Sequence, residues 1–169
     1  MRNKQIRKIS LAALFVALAF ILKTYLSISI GNSMRISIFP IPLIIAGYIL
    51  GPGYGLLAGL ASDVLYSIVL GYTPSLYSVP TILWGFAGSL IPMLPGKRDL
   101  WKFAIVIGIT TVLETFINSV ANYTFGLDVW GTLPWRVLTM IIRFPFLVIA
   151  TKMIIRQFLI LSEGDPVKT

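Results

Sequence analysis

The sequence predicts an all-α membrane protein: a bundle of six transmembrane helices forming one integral membrane domain over residues 1–169. Three observations carry the prediction. Hydrophobic residues make up 57% of the chain and charged residues only 12%, with a mean hydropathy of +0.89; soluble domains carry about 25% charged residues, and half of that leaves too little polar surface to stay in water. The apolar residues gather in six stretches near the length a membrane span needs. The basic residues, 14 Lys+Arg against 6 Asp+Glu, mostly flank those stretches as juxtamembrane anchors do.

The first span is expected over residues 9–29, after a basic cytoplasmic start of residues 1–8, with Lys23 near its end and able to snorkel. The second, residues 36–50, is short and carries Pro40 and Pro42, which would leave backbone groups unpaired unless protein or water satisfies them. The third covers residues 54–70, the fourth 79–94, the fifth 103–125 and the sixth 133–161, ahead of a cytoplasmic tail at 162–169. Turn signals separate them: Gly31-Asn32-Ser33, Gly51-Pro52-Gly53, Gly71 to Ser75, Pro95-Gly96-Lys97, and Gly126 to Pro134.

Orientation follows from the basic residues. With the N-terminus cytoplasmic, one side holds Arg2, Lys4, Arg7, Lys8, Lys97, Arg98, Lys102, Lys152, Arg156 and Lys168. The other holds Lys23, Arg35 and Arg136, with Arg143 inside the sixth span. This asymmetry places both termini in the cytoplasm. The basic start and Ala17-Leu18-Ala19 also look like a secretory leader, but no soluble domain follows to be exported, and a first membrane span is the better reading.

Cysteine and histidine are both absent, which removes disulfides, thiol nucleophiles, imidazole acid–base chemistry and most zinc sites. No catalytic set, metal site or cofactor site is expected, and no Walker motif is present. The basic excess belongs to membrane anchoring, so no nucleic-acid partner is expected either. Gly51, Gly55 and Gly59 superficially suggest a phosphate loop, but at four-residue spacing they read as a small-residue stripe for close helix packing. Ala13 and Ala17, with Ala12 beside them, form a second such stripe, either an internal seam or a docking face for a partner. Asn122-Tyr123-Thr124 matches a glycosylation sequon but ends a span and carries no weight.

The informative residues are ionisable groups within spans: Asp63, Glu114 and Arg143, with Arg35 and Arg136 at the outer ends of the second and sixth. A charge in hydrocarbon costs at least about 2.5–3.5 kcal/mol, so each needs a partner or a wet cavity. Glu114 with Arg143 could be a structural pair. Asn118 and then Asn122 continue the Glu114 face at one-turn intervals, a lining too polar for lipid. Aromatic residues (Phe39, Tyr66, Tyr72, Tyr77, Trp84, Trp130 and Trp135) gather toward the outer side, some as an interfacial belt. Trp84, inside its span near Gly85 and Gly88, could stack on a planar ligand. Acidic groups with aromatics suit a flat heterocycle that donates hydrogen bonds, and arginines suit a carboxylate-bearing tail.

At this point the chain resembles the substrate-binding S components of energy-coupling factor (ECF) vitamin transporters, in the folate group. The resemblance rests on six short spans, the stripe at Ala13 and Ala17, Arg35-Ile36-Ser37, Pro42, Ala46 through Pro52, Gly59, Ala61-Ser62-Asp63, Leu113-Glu114-Thr115 with Asn118, and Leu133-Pro134-Trp135-Arg136. It implies the six-helix S-component fold and a bacterial plasma-membrane location. It also implies high-affinity vitamin binding, most simply of folate, with Arg35, Asp63, Tyr77, Trp84, Glu114, Asn118, Arg136 and Arg143 as candidate binding residues. Ala13 and Ala17 would dock onto a transmembrane coupling protein driven by two cytoplasmic ATPases. The chain departs from the group in Pro40, Pro42 and the loop from Tyr72 to Ser78. Two other readings stay open: the same fold for riboflavin, pantothenate, a thiamine precursor or a queuosine precursor, and a purely structural small membrane protein.

Overall fold

The computed structural model describes residues 2–30, 34–73, 75–96 and 99–163. The turn expected at residues 31–33, Pro74, Lys97, Arg98 and the tail from 164 onward, with Lys168, lie outside the described residues. Six helices and one hairpin follow in order: α1 (Arg2–Thr24), β1 (Ile28–Ile30), β2 (Met34–Ile36), α2 (Pro40–Leu50), α3 (Pro52–Leu70), α4 (Ser78–Leu90), α5 (Asp99–Thr124) and α6 (Val129–Glu163). The chain is a multi-pass membrane protein. α1, α3, α5 and α6 are long and apolar enough to cross a bilayer.

The second and fourth elements differ from the expected spans. α2 has 11 residues and α4 has 13. At 1.5 Å rise these reach only about 16 and 20 Å, against about 30 Å of hydrocarbon. α2 compensates by being internal: all of it except Tyr48 and Ile49 is buried. A helix apolar on every face is a core helix, and Leu43, Ile44 and Ala46 are fully enclosed. Its prolines do no harm. Pro40 and Pro42 occupy the first and third helical positions, where a backbone N–H has no intrahelical acceptor to lose.

The residues expected to end the first span and start the second pair instead as an antiparallel hairpin, with Ile28 opposite Ile36 and Ser29 opposite Arg35. β-branched Ile at alternate positions suits this pairing. The Ser37 hydroxyl donates to Leu22 O at 3.1 Å, tying the hairpin's exit to the end of α1. At the other end of the chain, α6 starts at Val129 and takes in Pro134 and Pro145. The region expected as a loop up to Pro134 is therefore partly helical.

Glycine sets the central packing. An added Cβ on Gly47 or Gly55 would run into Gly85 O, one on Gly88 into Ile44 O, and one on Gly59 would sit 2.7 Å from Thr81 O. α2, α3 and α4 thus meet backbone to backbone, as small residues permit. Gly51 is not part of this seam: no atom lies within 4 Å of its Cβ position. Its φ of 93° makes it the joint between α2 and α3 instead. Ala13 and Ala17 are exposed, while Phe15, Val16 and Ala19 of the same helix are buried. The internal-seam reading of the alanine stripe is therefore set aside.

Candidate ligand-binding site

α1, α3 and α5 end on the side of the bundle where α2, α4 and α6 begin. Around that side opens a cavity of about 770 Å³, within the usual range for small-molecule sites. The C-terminal part of α1 contributes Lys23, α3 contributes Asp63, Tyr66 and Ser67, and α4 contributes Pro80 and Thr81. α5 contributes Glu114, Asn118 and Asn122, and α6 contributes Arg136 and Arg143. Tyr72, Thr73, Ser75 and Tyr77 come from the segment between α3 and α4. The Glu114–Asn118–Asn122 stripe faces the cavity as its one-turn spacing requires.

Two largely buried ion pairs organise the lining. Lys23 Nζ lies 2.6 Å from Asp63 Oδ1 and donates to Thr81 Oγ1 at 2.9 Å. The ammonium also sits over the rings of Tyr66, at 4.4 Å, and Phe39, at 5.3 Å. Lys23 therefore does not snorkel: its carbon chain turns inward, where a carboxylate, a hydroxyl and two aromatic faces replace water. In the second pair Arg143 donates to Glu114 Oε2, which also accepts the Trp84 indole N–H at 3.2 Å. Glu114 Oε1 and Asp63 Oδ2 carry no hydrogen bond among the described residues. Both carboxylates thus keep an acceptor oxygen that a ligand can use.

Tyr77 donates to Asn122 Oδ1 and stacks on Phe125, with ring centroids 5.7 Å apart. This pins the α3–α4 segment to the end of α5. Partial withdrawal from solvent pushes the Tyr77 phenol above the usual tyrosine range, with Arg136 pulling against it, so the hydroxyl stays a donor at neutral pH. Asn122 Nδ2, on a residue 1% exposed, and Arg143 Nε, both on residues that line the cavity, have no hydrogen-bond partner among the described residues.

Of the residues singled out in the sequence, Asp63, Tyr77, Glu114, Asn118, Arg136 and Arg143 come together around this one cavity. Trp84 does not line it. It is fully buried behind the wall, where its N–H steadies Glu114 and its ring lies 6.0 Å from the Arg143 guanidinium. That placement removes it as a stacking surface. Arg35 sits on β2, and its side chain lies outside the described residues. Trp130 and Trp135 are exposed, as belt residues are. Sequence reasoning missed Lys23, Phe39 and Thr81 as lining residues. No local signal marked Lys23, because its carboxylate partner Asp63 lies 40 residues away on another helix.

The chain matches the family model described as "ECF transporter, substrate-specific component" over residues 7–160. No curated protein sequence matches it. Among solved structures it resembles FolT bound with folic acid, with a TM-score of 0.77 and 18% identity, covering 89% of this chain and 94% of the other. It also resembles the S component for biotin of an ECF-type ABC transporter (TM-score 0.70, 18% identity, 94% and 93% covered). A third likeness is to the S component of a bacterial ECF transporter (TM-score 0.63, 18% identity, 93% and 98% covered). At these identities the solved structures establish the fold.

Proposed function

The chain belongs to the family of ECF-transporter substrate-specific components, and from that premise we propose that its cavity captures folate at the outer face of a bacterial plasma membrane. The observation that carries the proposal is the charge of the lining. Lys23, Arg136 and Arg143 face Asp63 and Glu114, so the described lining holds one more cation than carboxylate. A ligand carrying carboxylates restores the balance, and guanidinium groups bind carboxylate bidentately. The flat ring system of folate suits the aromatic surfaces of Tyr66, Tyr72, Tyr77 and Phe125. Its adjacent ring N–H donors suit the open oxygens of Asp63 and Glu114, and Asn118 can serve the ring edge with both a donor and an acceptor. The likeness to FolT bound with folic acid supports this substrate over others.

A second reading, another carboxylate vitamin, is favoured by the likeness to the biotin S component. Tryptophan-fluorescence titrations separate the two. Folic acid should bind without nucleotide. Truncating Asp63 or Glu114 to Ala should weaken binding by about 2–5 kcal/mol, because ring donors are left unpaired in a dry site. Arg136→Ala should cost about 1.5–3 kcal/mol, the worth of a hydrogen bond to a charged group, since Arg136 is partly buried rather than exposed. Tight binding of biotin with no response to folic acid would replace the substrate and leave the family in place.

Delivery follows from α1. The exposed Ala13 and Ala17 support close approach of a helix from a transmembrane coupling protein, itself driven by two cytoplasmic ATPases. The positive-inside asymmetry supports cytoplasmic termini and a cavity opening outward. The chain's own task is binding, and ATP hydrolysis belongs to the partners.

A further inference from the structure

Arginine meets a carboxylate most strongly as a fork, with two parallel N–H groups on the two oxygens. The Arg143–Glu114 pair is half of such a fork. Nη2 donates to Glu114 Oε2, while Nε, on the same edge of the guanidinium, has no partner among the described residues. Oε1, the oxygen that would complete the fork, carries no hydrogen bond among the described residues either. The Glu114 side chain lines the cavity with 11% of its surface exposed, and Oε1 is not one of the fully enclosed polar atoms that lack a partner. A donor and an acceptor on two paired side chains thus fail to meet. Trp84 supplies the reason. Its indole N–H donates to Oε2 at 3.2 Å from a side chain with no exposed surface, and its ring lies 6.0 Å from the guanidinium. Turning the carboxylate to set both oxygens on Nε and Nη2 would draw Oε2 off the indole. A buried N–H would then be left unpaired, which folded proteins seldom allow.

We propose that Trp84 is a positioning residue for ligand binding: its N–H keeps Glu114 from closing onto Arg143 as a two-bond pair, and so keeps Oε1 available to a hydrogen-bond donor of the bound molecule. The inference rests on the reading of this cavity as a vitamin site with Glu114 as an acceptor, and adds what holds that acceptor open. Only the open arrangement binds, so apparent affinity follows its population.

The test uses the purified full chain, with folic acid and biotin as probes. Trp84→Phe removes the N–H but also volume, so a second variant carries benzothienylalanine at position 84, an isostere with sulfur in place of the N–H. Both should weaken folic acid about tenfold, as the closed pair gains population. Beside Glu114→Ala the isostere should change affinity less than about threefold, as a residue acting through Glu114 must. Unchanged affinity in the isostere, an equal loss beside Glu114→Ala, or failure of the isostere to fold would overturn the proposal. Full affinity in Glu114→Ala would overturn it too, and would leave the vitamin reading in place. If biotin binds and folic acid does not, the folate reading fails and the same comparison on biotin, whose ring also donates N–H groups, decides this one. If neither binds, the ligand-free protein decides. The stability coupling between Glu114→Ala and Arg143→Ala, read by reversible SDS titration, should grow about tenfold as an equilibrium constant when the isostere replaces Trp84, because the second fork bond forms. An unchanged or smaller coupling would overturn the proposal.

Discussion

Replacing Lys23 by Met probes the inward-turned ammonium most sharply. The Lys23 and Asp63 side chains are 14% and 6% exposed, with Nζ and Oδ1 2.6 Å apart. At an effective dielectric of about 20 their attraction is about 6 kcal/mol. Withdrawing both ions from water costs several kcal/mol each, so the pair as a whole contributes little net stability. Breaking it is another matter. Without Lys23, Asp63 has no hydrogen bond among the described residues, and Lys23→Met should cost about 3–5 kcal/mol. Without Asp63, the ammonium keeps Thr81 Oγ1 at 2.9 Å and the Tyr66 ring at 4.4 Å, so Asp63→Leu should cost less. The double variant Lys23→Met/Asp63→Leu should return to within about 1 kcal/mol of the unmodified protein or exceed it. Reversible SDS titration in mixed micelles, followed by tryptophan fluorescence, measures all three. A loss below about 1 kcal/mol in Lys23→Met would mean that the ammonium reaches bulk water after all, and the inward pairing would be refuted.

Three further outcomes follow from the geometry. Gly85→Ala and Gly88→Ala should each destabilise by about 1–3 kcal/mol or block folding, because the added methyl meets backbone of a neighbouring helix, while Gly53→Ala, with nothing within 4 Å, should be tolerated in the same titration. Ala13→Trp/Ala17→Trp should abolish vitamin uptake by cells while the isolated protein binds ligand normally; loss of binding itself would return the stripe to the fold. Reporters fused at Thr169 and within the Tyr72–Ser78 segment should lie on opposite sides of the membrane, and reporters on the same side would defeat the topology.

The bundle was legible because hydropathy and turn chemistry act locally. Gly51-Pro52 and Gly71 mark helix ends in the structure as they do in the sequence. The Glu114–Asn118–Asn122 stripe was legible for the same reason, since helical period alone puts these residues on one face. Three features depended on tertiary context. α2 has the composition of a span but is a buried core helix, and composition does not distinguish a lipid-facing helix from an enclosed one. The hairpin of β1 and β2 interrupts what hydropathy reads as nearly continuous, because Ile and Ser at 28–30 suit a strand as well as a span end. The side on which Lys23 points depends on Asp63, 40 residues away, and on two rings from other segments. Trp84 shows the same dependence: its position within a span suggested a stacking surface for a ligand, and packing instead encloses it behind Glu114.

The most direct measurement is equilibrium dialysis of labelled folic acid against the purified, detergent-solubilised protein, with no nucleotide and no partner subunit. Saturable binding of one molecule per chain, competed by unlabelled folic acid and weakened by Glu114→Ala, is the result the cavity's charge and shape predict. Absence of saturable binding, together with no small molecule in an extract of the denatured protein, would contradict the assignment of this cavity as a vitamin site.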